Sequence, residues 1–368
     1  MSDGHAYNNQ VDDKIQRPAA ETRYADELAR LRAADTDPVP PGWAMSLTAV
    51  RRFVLGDEKL GITRKFVGDV AMVERCLVTL ATNRGLLLIG EPGTAKSLLS
   101  ELLAAGVSGD STLTIQGGAA TTEDQIKYSW NYALLIGEGP TERSLVPAPM
   151  LRGMRDGKVV RFEEITRCPL EVQDGILSLL SDRALPIPEL TEVDFAHEGF
   201  AVIATANTRD RGVNEMSAAL KRRFSFETVF PIASLEAELA LVEQEATAAL
   251  LASGVTVAPR RDLLEVLVTI FRELRNGRTS LGEPLDPMST VMSTAEAVSV
   301  AHAIGLRGFY VRGEAADGAD LVEALAGTAA KDNADDLTRL RRYLEYVAKR
   351  DTSPAWREVY AARDRLPG

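Results

Sequence analysis

The sequence predicts an α/β fold: a parallel sheet flanked by helices, followed by an all-α region. Three observations carry this. Short apolar runs of buried-strand type alternate with apolar-periodic stretches of helical type. The crossovers between the runs are long enough to hold helices, which parallel pairing requires. From about Ala233 onward the strand pattern stops and every stretch reads as helix.

In chain order, residues 1–40 lack sustained periodicity, and TDPVPPGW adds three prolines. They read as a mobile N-terminal arm with a short helix in YADELARLRAA. Residues 41–232 read as the α/β domain. Val70–Asn83 is a helix by the spacing of Val73, Cys76, Leu77 and Leu80, and it runs into the strand GLLLIGEP. SLLSELLAAGV is the next helix and STLTIQGG the next strand. KVVRFEEI is a third strand, followed by a helix in PLEVQDGILSLLSD. FAVIATAN is a fourth, followed by a helix through SAALKRRF, and FETVFPI is a fifth. Residues 233–368 form the helical domain, ending in RLRRYLEYVAKR, where Leu340, Leu344 and Val347 make the core face and the arginines a solvated one.

The 368-residue chain carries 53 acidic and 42 basic residues, a net charge of −11, which argues against a general nucleic-acid binder. No apolar run approaches the ~18–20 residues of a membrane span, and the polar N-terminus shows no signal-peptide core, so a cytoplasmic protein without a membrane partner is expected. The two cysteines, Cys76 and Cys168, imply no disulfide framework, and His5, His197 and His302 form no metal-binding spacing with them.

Chemistry is concentrated in three places. Gly90, Glu91, Pro92, Gly93, Thr94, Ala95, Lys96 and Ser97 fit the pattern G-x-x-x-x-G-K-S/T, with Ala95 where a second glycine is usual. A tight turn between strand and helix aims backbone N–H groups and the helix N-terminus at one point, which suits a phosphate. Lys96 would bridge the β and γ phosphates and Ser97 would hold Mg²⁺, while a helical backbone at Ala95 accommodates its methyl. Leu98 completes the segment as a nucleotide-binding position. Second, the strand VVRFEEI ends in Glu163 and Glu164, at the end of the sheet where ligands bind. Glu163 is the metal-side candidate and Glu164 the one that orients or deprotonates a water; two exposed acids at a strand end are the plainer reading. Arg161 interrupts this strand and needs a partner acid near the site or partial exposure. Third, Asn207 ends the strand AVIATAN, placed to hold the attacking water or touch the γ-phosphate, or simply to form a turn.

Phosphate loop, RFEEI, ATAN and LKRRF occur in an order that resembles the AAA+ ATPases, and more narrowly the MoxR-type group of the clade with an insert in its second helix. The resemblance is strong over about Phe66–Ile232 and weak beyond. It rests on G-x-P-G-x-A-K-S, on EEITRCPLEVQDGILSLLSD, on a hairpin-bearing insert at about 128–156, and on LPIPELTEVDFAHEGFAVIATAN. It implies a P-loop NTPase fold and ATPase activity with ATP and Mg²⁺. Gly90–Ser97 would be Walker A, Glu163 and Glu164 Walker B, and Asn207 sensor 1. Arg223, with Arg222 as competitor, would be an arginine finger serving a neighbouring subunit, and Val67 and Gly68 would lie near adenine. It further implies a homo-oligomeric ring, hexameric by expectation, a protein client and a partner with a von Willebrand A domain. One departure stands out: Leu285–Gly305, where a sensor 2 arginine is usual, has none, leaving Arg278 or Arg307 as substitutes or the role absent.

The function expected is a ring-forming ATPase that remodels a client protein. Alternatives are a nucleic-acid-linked motor of the same clade, weakened by the acidic charge and by the lack of a basic or zinc-bearing domain, and a weakly hydrolysing nucleotide-bound scaffold. A small-molecule P-loop kinase does not account for LKRRF or the long helical region.

Overall fold

The computed structural model describes residues 15–207, 215–286, 288–289, 292–329, 333–348 and 353–367. His5, the first part of the expected N-terminal arm, parts of the 285–305 stretch and the end of 339–350 lie outside the described residues. The chain divides into two compact units: the chain through Gly90 together with Lys96–Thr228, and Glu91–Ala95 together with the chain from Val229 on.

The first unit opens with helices α1 (Ala20–Arg23) and α2 (Ala25–Ala34). The structure does not leave this segment free. Ala20, Leu28 and Leu31 are buried, Tyr24 meets Phe53 edge-to-face at 5.8 Å, and Glu27 pairs with buried Lys65 at 2.5 Å. Arg17 adds an ion pair to Glu101 at 2.9 Å, and Glu21 accepts from the Ser111 hydroxyl at 2.7 Å, so the segment is docked although its composition reads as an arm. Helix α3 (Leu47–Leu55) starts at Ser46, whose hydroxyl accepts the Ala49 N–H. Helix α4 (Val70–Leu80) is capped by Asp69 and buries Val73, Cys76, Leu77 and Leu80 as their spacing predicts. It stops short of Asn83 because the Thr82 hydroxyl takes the Thr79 carbonyl at 2.7 Å, competing with helical hydrogen bonding.

Strand β1 (Gly85–Gly90) leads through the glycine turn into α5 (Lys96–Ser108), and β2 (Thr114–Gln116) follows. Next come α6 (Glu123–Ile126), β3 (Tyr128–Trp130), α7 (Tyr132–Glu138), β4 (Leu145–Pro147) and α8 (Pro149–Asp156). β3 and β4 pair antiparallel and carry α7 between them as an outlying element with no buried residue. β5 (Val159–Glu163) is buried along its whole length. Helices α9 (Leu170–Asp174) and α10 (Leu177–Ser181) precede a second hairpin, β6 (Ala184–Ile187) with β7 (Glu192–Phe195). β8 (Ala201–Asn207), α11 (Ala218–Lys221) and β9 (Phe224–Thr228) complete the unit.

The five-stranded sheet has order β2-β5-β8-β1-β9, and every pairing in it is parallel. The inner strands β1 and β8 are near-continuous apolar runs, as strands covered on both faces are. Leu87, Phe162, Val202 and Ala204 join α8 and α10 residues in one core. Each such fully buried large side chain contributes about 1.5–3 kcal/mol relative to exposure.

The second unit is helical: α12 (Leu235–Ala252), α13 (Arg261–Asn276), α14 (Thr294–Leu306), α15 (Gly318–Ala329), α16 (Ala334–Tyr343) and α17 (Pro354–Ala362). Ser293 and Glu296 form a capping box at α14, and Gly277 ends α13 in the left-handed region at φ 63°. Leu340 and Leu344 are fully buried and Val347 packs against the same core, as the basic segment's spacing predicts. The carboxylate of Glu238, in the first turn of α12, is fully buried. It accepts from Arg272 at 2.7 Å, Thr294 at 2.6 Å and Arg275 at 3.0 Å. Burial pushes this carboxyl up, and the bonds from Arg275, Thr294 and Arg272 outweigh it, holding it below its usual range.

Candidate functional site

The parallel strands all point their carboxyl ends the same way, and the register decides what meets there. Gly90 lies opposite Asn207 across the β1–β8 pairing, and Phe162 opposite Ala204 across β5–β8. Because β8 lies between β5 and β1, Asn207 sits between the phosphate loop and the acidic pair. The loop, both glutamates and the asparagine are thus assembled at one end of the sheet by strand order alone.

The loop backbone is shaped by three positive φ angles: Gly90 at 157°, Gly93 at 74° and Ala95 at 64°. Ala95 is therefore helical only in the left-handed sense, where a Cβ costs roughly 1–2 kcal/mol. The expectation of an easily accommodated methyl is corrected on this point: the alanine occupies a glycine conformation under strain. Thr94 donates to the Glu91 carbonyl at 2.9 Å, tightening the turn, and the buried Lys96 ammonium lies 3.2 Å from the Gly90 carbonyl at the loop's start.

Glu163 is only 4% exposed, and all its acceptor positions are used. Its Oε1 accepts from Arg161 Nη2 at 2.8 Å and from Ser100 at 2.5 Å. Its Oε2 accepts from Ser97 at 2.7 Å and Thr205 at 2.8 Å. A carboxylate offers about four acceptor sites, so this one is saturated. Burial pushes the carboxyl up, but hydrogen bonds from Ser100 and Ser97, the Arg161 charge and the Thr205 bond together hold it below the usual range. Arg161 therefore has the acid partner its position in a buried strand demanded.

Glu164 follows with φ 55° and ψ 45°, also in the left-handed region. Its N–H donates to the Thr205 hydroxyl at 2.9 Å, and its carboxylate accepts from Arg167 at 3.0 Å. The single Thr205 hydroxyl therefore ties both acids, donating to one side chain and accepting from the other's backbone. Gly117, just past β2, donates its N–H to the Glu163 carbonyl at 2.7 Å. A Cβ on it would stand 2.3 Å from the Glu164 carbonyl oxygen, so only glycine lets the neighbouring chain pass this close.

The oxygen donors present fit Mg²⁺, which takes hard oxygen ligands and keeps several waters. Because the Ser97 hydroxyl donates its proton to Glu163, its oxygen lone pairs would be free for such an ion, and Glu163 would act on it through Ser97.

Val67 and Gly68 lie half-buried in the segment before α4. Arg222 and Arg223 are exposed, and Arg223 donates to Ser181 at 2.5 Å while its carbonyl accepts the Gly85 N–H at 3.0 Å. They stand at the start of β1, five residues from its end at Gly90, or about 17 Å at ~3.3 Å per residue. That exceeds the span of an arginine side chain, so neither reaches the phosphate loop of its own chain. Leu98 is half-buried at the first turn of α5. Arg307 is engaged by Asp320 at 3.3 Å and by Glu323, which occupies it structurally. Arg278 is exposed.

Sequence reasoning missed Ser100, Thr205 and Gly117. Ser100 had a signal, standing one helical turn after Ser97. Thr205 had a weaker one, sharing a strand face with Asn207 at i, i+2.

Comparison with known proteins agrees with this geometry. Residues 85–224 match the AAA domain of the dynein-related subfamily, and residues 236–367 match the YehL-like AAA+ ATPase C-terminal domain. The uncharacterized protein YehL of Escherichia coli (strain K12) is 59% identical over 357 residues, covering 96% of this chain and 98% of that protein. The uncharacterized protein SH1500 of Staphylococcus haemolyticus (strain JCSC1435) is 31% identical over 146 residues, covering 39% of this chain and 54% of that one. The crystal structure of NtrX from Brucella abortus superposes with a TM-score of 0.50 at 14% identity, covering 77% of this chain and 62% of NtrX, a likeness of fold alone. A P-loop sheet flanked by helices, a helical C-terminal unit and near full-length similarity to YehL lead to one conclusion: the chain belongs to the YehL-like family of AAA+ ATPases.

Proposed function

We propose that the protein is an ATP-hydrolysing, MoxR-like AAA+ ATPase that remodels a client protein as a homo-oligomeric ring. The observation that supports this most is the assembly of Gly90–Ser97, Glu163, Glu164 and Asn207 at one end of the sheet, with Ser97 and Glu163 already hydrogen-bonded at 2.7 Å. Backbone N–H groups of the loop and Lys96 would hold the phosphates, and Ser97 with Glu163 would hold Mg²⁺, which would supply charge neutralisation at the transferring phosphoryl group. Glu164 accepts the proton of the attacking water, and Asn207 orients that water. Arg223, about 17 Å from its own loop along β1, serves the γ-phosphate of a neighbouring subunit. A hexamer satisfies that requirement.

Helix α7 supports the client role. Tyr132 is 70% and Ile136 87% exposed, one turn apart on an element that buries nothing. Such apolar exposure on an outlying hairpin suits a moving contact with a client or with a von Willebrand A domain partner. No helix among the described residues is long and apolar enough to cross a membrane.

Subunit mixing tests the arrangement. Arg223→Ala and Glu164→Gln should each lack turnover alone. Mixed, they should recover part of it, because an intact Glu164 in one subunit then meets an intact Arg223 from the next. No recovery, with assembly of the mixture verified, would remove the trans assignment. A pull-down with Glu164→Gln should retain the client, whereas stimulation by DNA or RNA without protein capture would favour the nucleic-acid motor.

A further inference from the structure

We propose that Arg161 and Ser100 are positioning residues that hold one oxygen of Glu163 out of metal service, so that Arg161 and Glu163 work as a matched pair. This rests on the nucleotide reading of the site.

The two carboxylate oxygens of Glu163 have separate duties. Oε1 is taken by Arg161 at 2.8 Å and Ser100 at 2.5 Å, while Oε2 faces Ser97 and Thr205 at 2.7 and 2.8 Å. Arg161 makes this division rigid. Its Nε donates to Ser100 at 3.0 Å, Nη1 to the Ser111 carbonyl at 3.1 Å and to Thr114 at 3.3 Å, and Nη2 to the Ser97 carbonyl at 3.1 Å as well as to Glu163. The guanidinium has five N–H donors, and all five have acceptors. Ser111 is itself held by Glu21 of α1, which accepts its N–H at 3.1 Å and its hydroxyl at 2.7 Å. The anchor thus reaches from the N-terminal helix through β2 and α5 to the metal-side acid.

A glutamate fits this frame because it must span from the Arg161 fork to the Ser97 hydroxyl. An aspartate is shorter by one C–C bond, about 1.5 Å, and cannot serve both ends. Arg161 without the glutamate is a buried charge with its acid out of reach, and Glu163 without Arg161 loses the group that fixes Oε1. Either change alone should damage the metal side of the site, and the two together should damage it less than their product.

The test is equilibrium binding of a fluorescent ADP analogue to the full chain, with Mg²⁺ and with EDTA, for wild type, Glu163→Asp, Arg161→Val, Ser100→Ala, Arg161→Lys and the Arg161→Val/Glu163→Asp double variant. The ratio of the two affinities is the readout. Glu163→Asp and Arg161→Val should each reduce the Mg²⁺-dependent gain about tenfold or more, as loss of a partner of a metal-orienting group does, with EDTA affinity little changed. Arg161→Lys, which keeps charge without the fork, and Ser100→Ala should also lose most of it. They carry the test if Arg161→Val does not fold. The double variant should lose less than the product of the single losses. The pairing is overturned if Glu163→Asp matches wild type, if the losses multiply to within about twofold, or if EDTA affinity falls as far as Mg²⁺ affinity. If wild type binds no nucleotide in either condition, the nucleotide reading falls and the pairing with it.

Discussion

Replacing Thr205 with valine removes one hydroxyl from a side chain only 1% exposed and leaves its shape in place. That hydroxyl donates to Glu163 at 2.8 Å and accepts from the Glu164 N–H at 2.9 Å. A hydrogen bond to a charged group is worth about 1.5–3 kcal/mol, and a buried donor left unsatisfied costs about 1–3 kcal/mol. Because the Glu164 amide regains some solvent, a combined loss of about 3 kcal/mol is expected. In a unit of this size that is about 6–12 °C in melting temperature. Thr205→Ser is the control: it keeps both hydrogen bonds and loses one methyl, about 0.8 kcal/mol. Calorimetry of the full chain gives the shift of the α/β transition, and hydrogen exchange at the Glu164 amide shows whether its acceptor is gone. A valine variant melting within about 2 °C of the serine variant, with the Glu164 amide still protected, would refute the role given to this hydroxyl.

Ala95→Gly should raise stability by up to about 1 kcal/mol, since glycine enters the left-handed region freely, whereas Ala95→Val should lower it by more than that; chemical denaturation distinguishes the two. Leu28→Ala and Leu31→Ala should each destabilise the α/β unit by about 2–4 kcal/mol if the N-terminal helices are part of its core, as their burial indicates; an unchanged melting curve would contradict that. The Glu238 carboxyl is held below the ordinary glutamate value of 4.5, so its contribution to stability is fully present above that pH and is lost as pH falls through the folded value. Melting of the helical unit should therefore drop below about pH 4.5, and Glu238→Gln should flatten the drop while costing about 3 kcal/mol near neutral pH.

What the sequence reveals about this molecule depends on whether an interaction is local. The loop from Gly90 to Ser97 was legible because strand, turn and helix N-terminus are contiguous, and their spacing is dictated by one phosphate-sized concavity. The Arg161–Glu163 pair was half-legible: residues i and i+2 share a strand face, but the five acceptors of the guanidinium come from three separate stretches of chain. Thr205 was not read, because its place beside Glu163 depends on the β5–β8 register, which no local pattern encodes. The helix over YADELARLRAA was legible, but the docking of the N-terminal segment was not, for a related reason. Ala20, Leu28 and Leu31 form too sparse a stripe to signal a core face, and the partners that bury them lie far along the chain. Ala95 shows the reverse case, where residue type suggested an easy fit and the turn demanded a left-handed backbone.

The most direct test of the central claim compares ATP binding and hydrolysis by the full chain and by its Glu164→Gln variant in the presence of Mg²⁺. The account predicts that both bind ATP with similar affinity, and that the variant turns over at least about a hundredfold more slowly, the usual loss for a general base. Hydrolysis by Glu164→Gln at the wild-type rate, or a wild type that neither binds nor hydrolyses ATP, would contradict it.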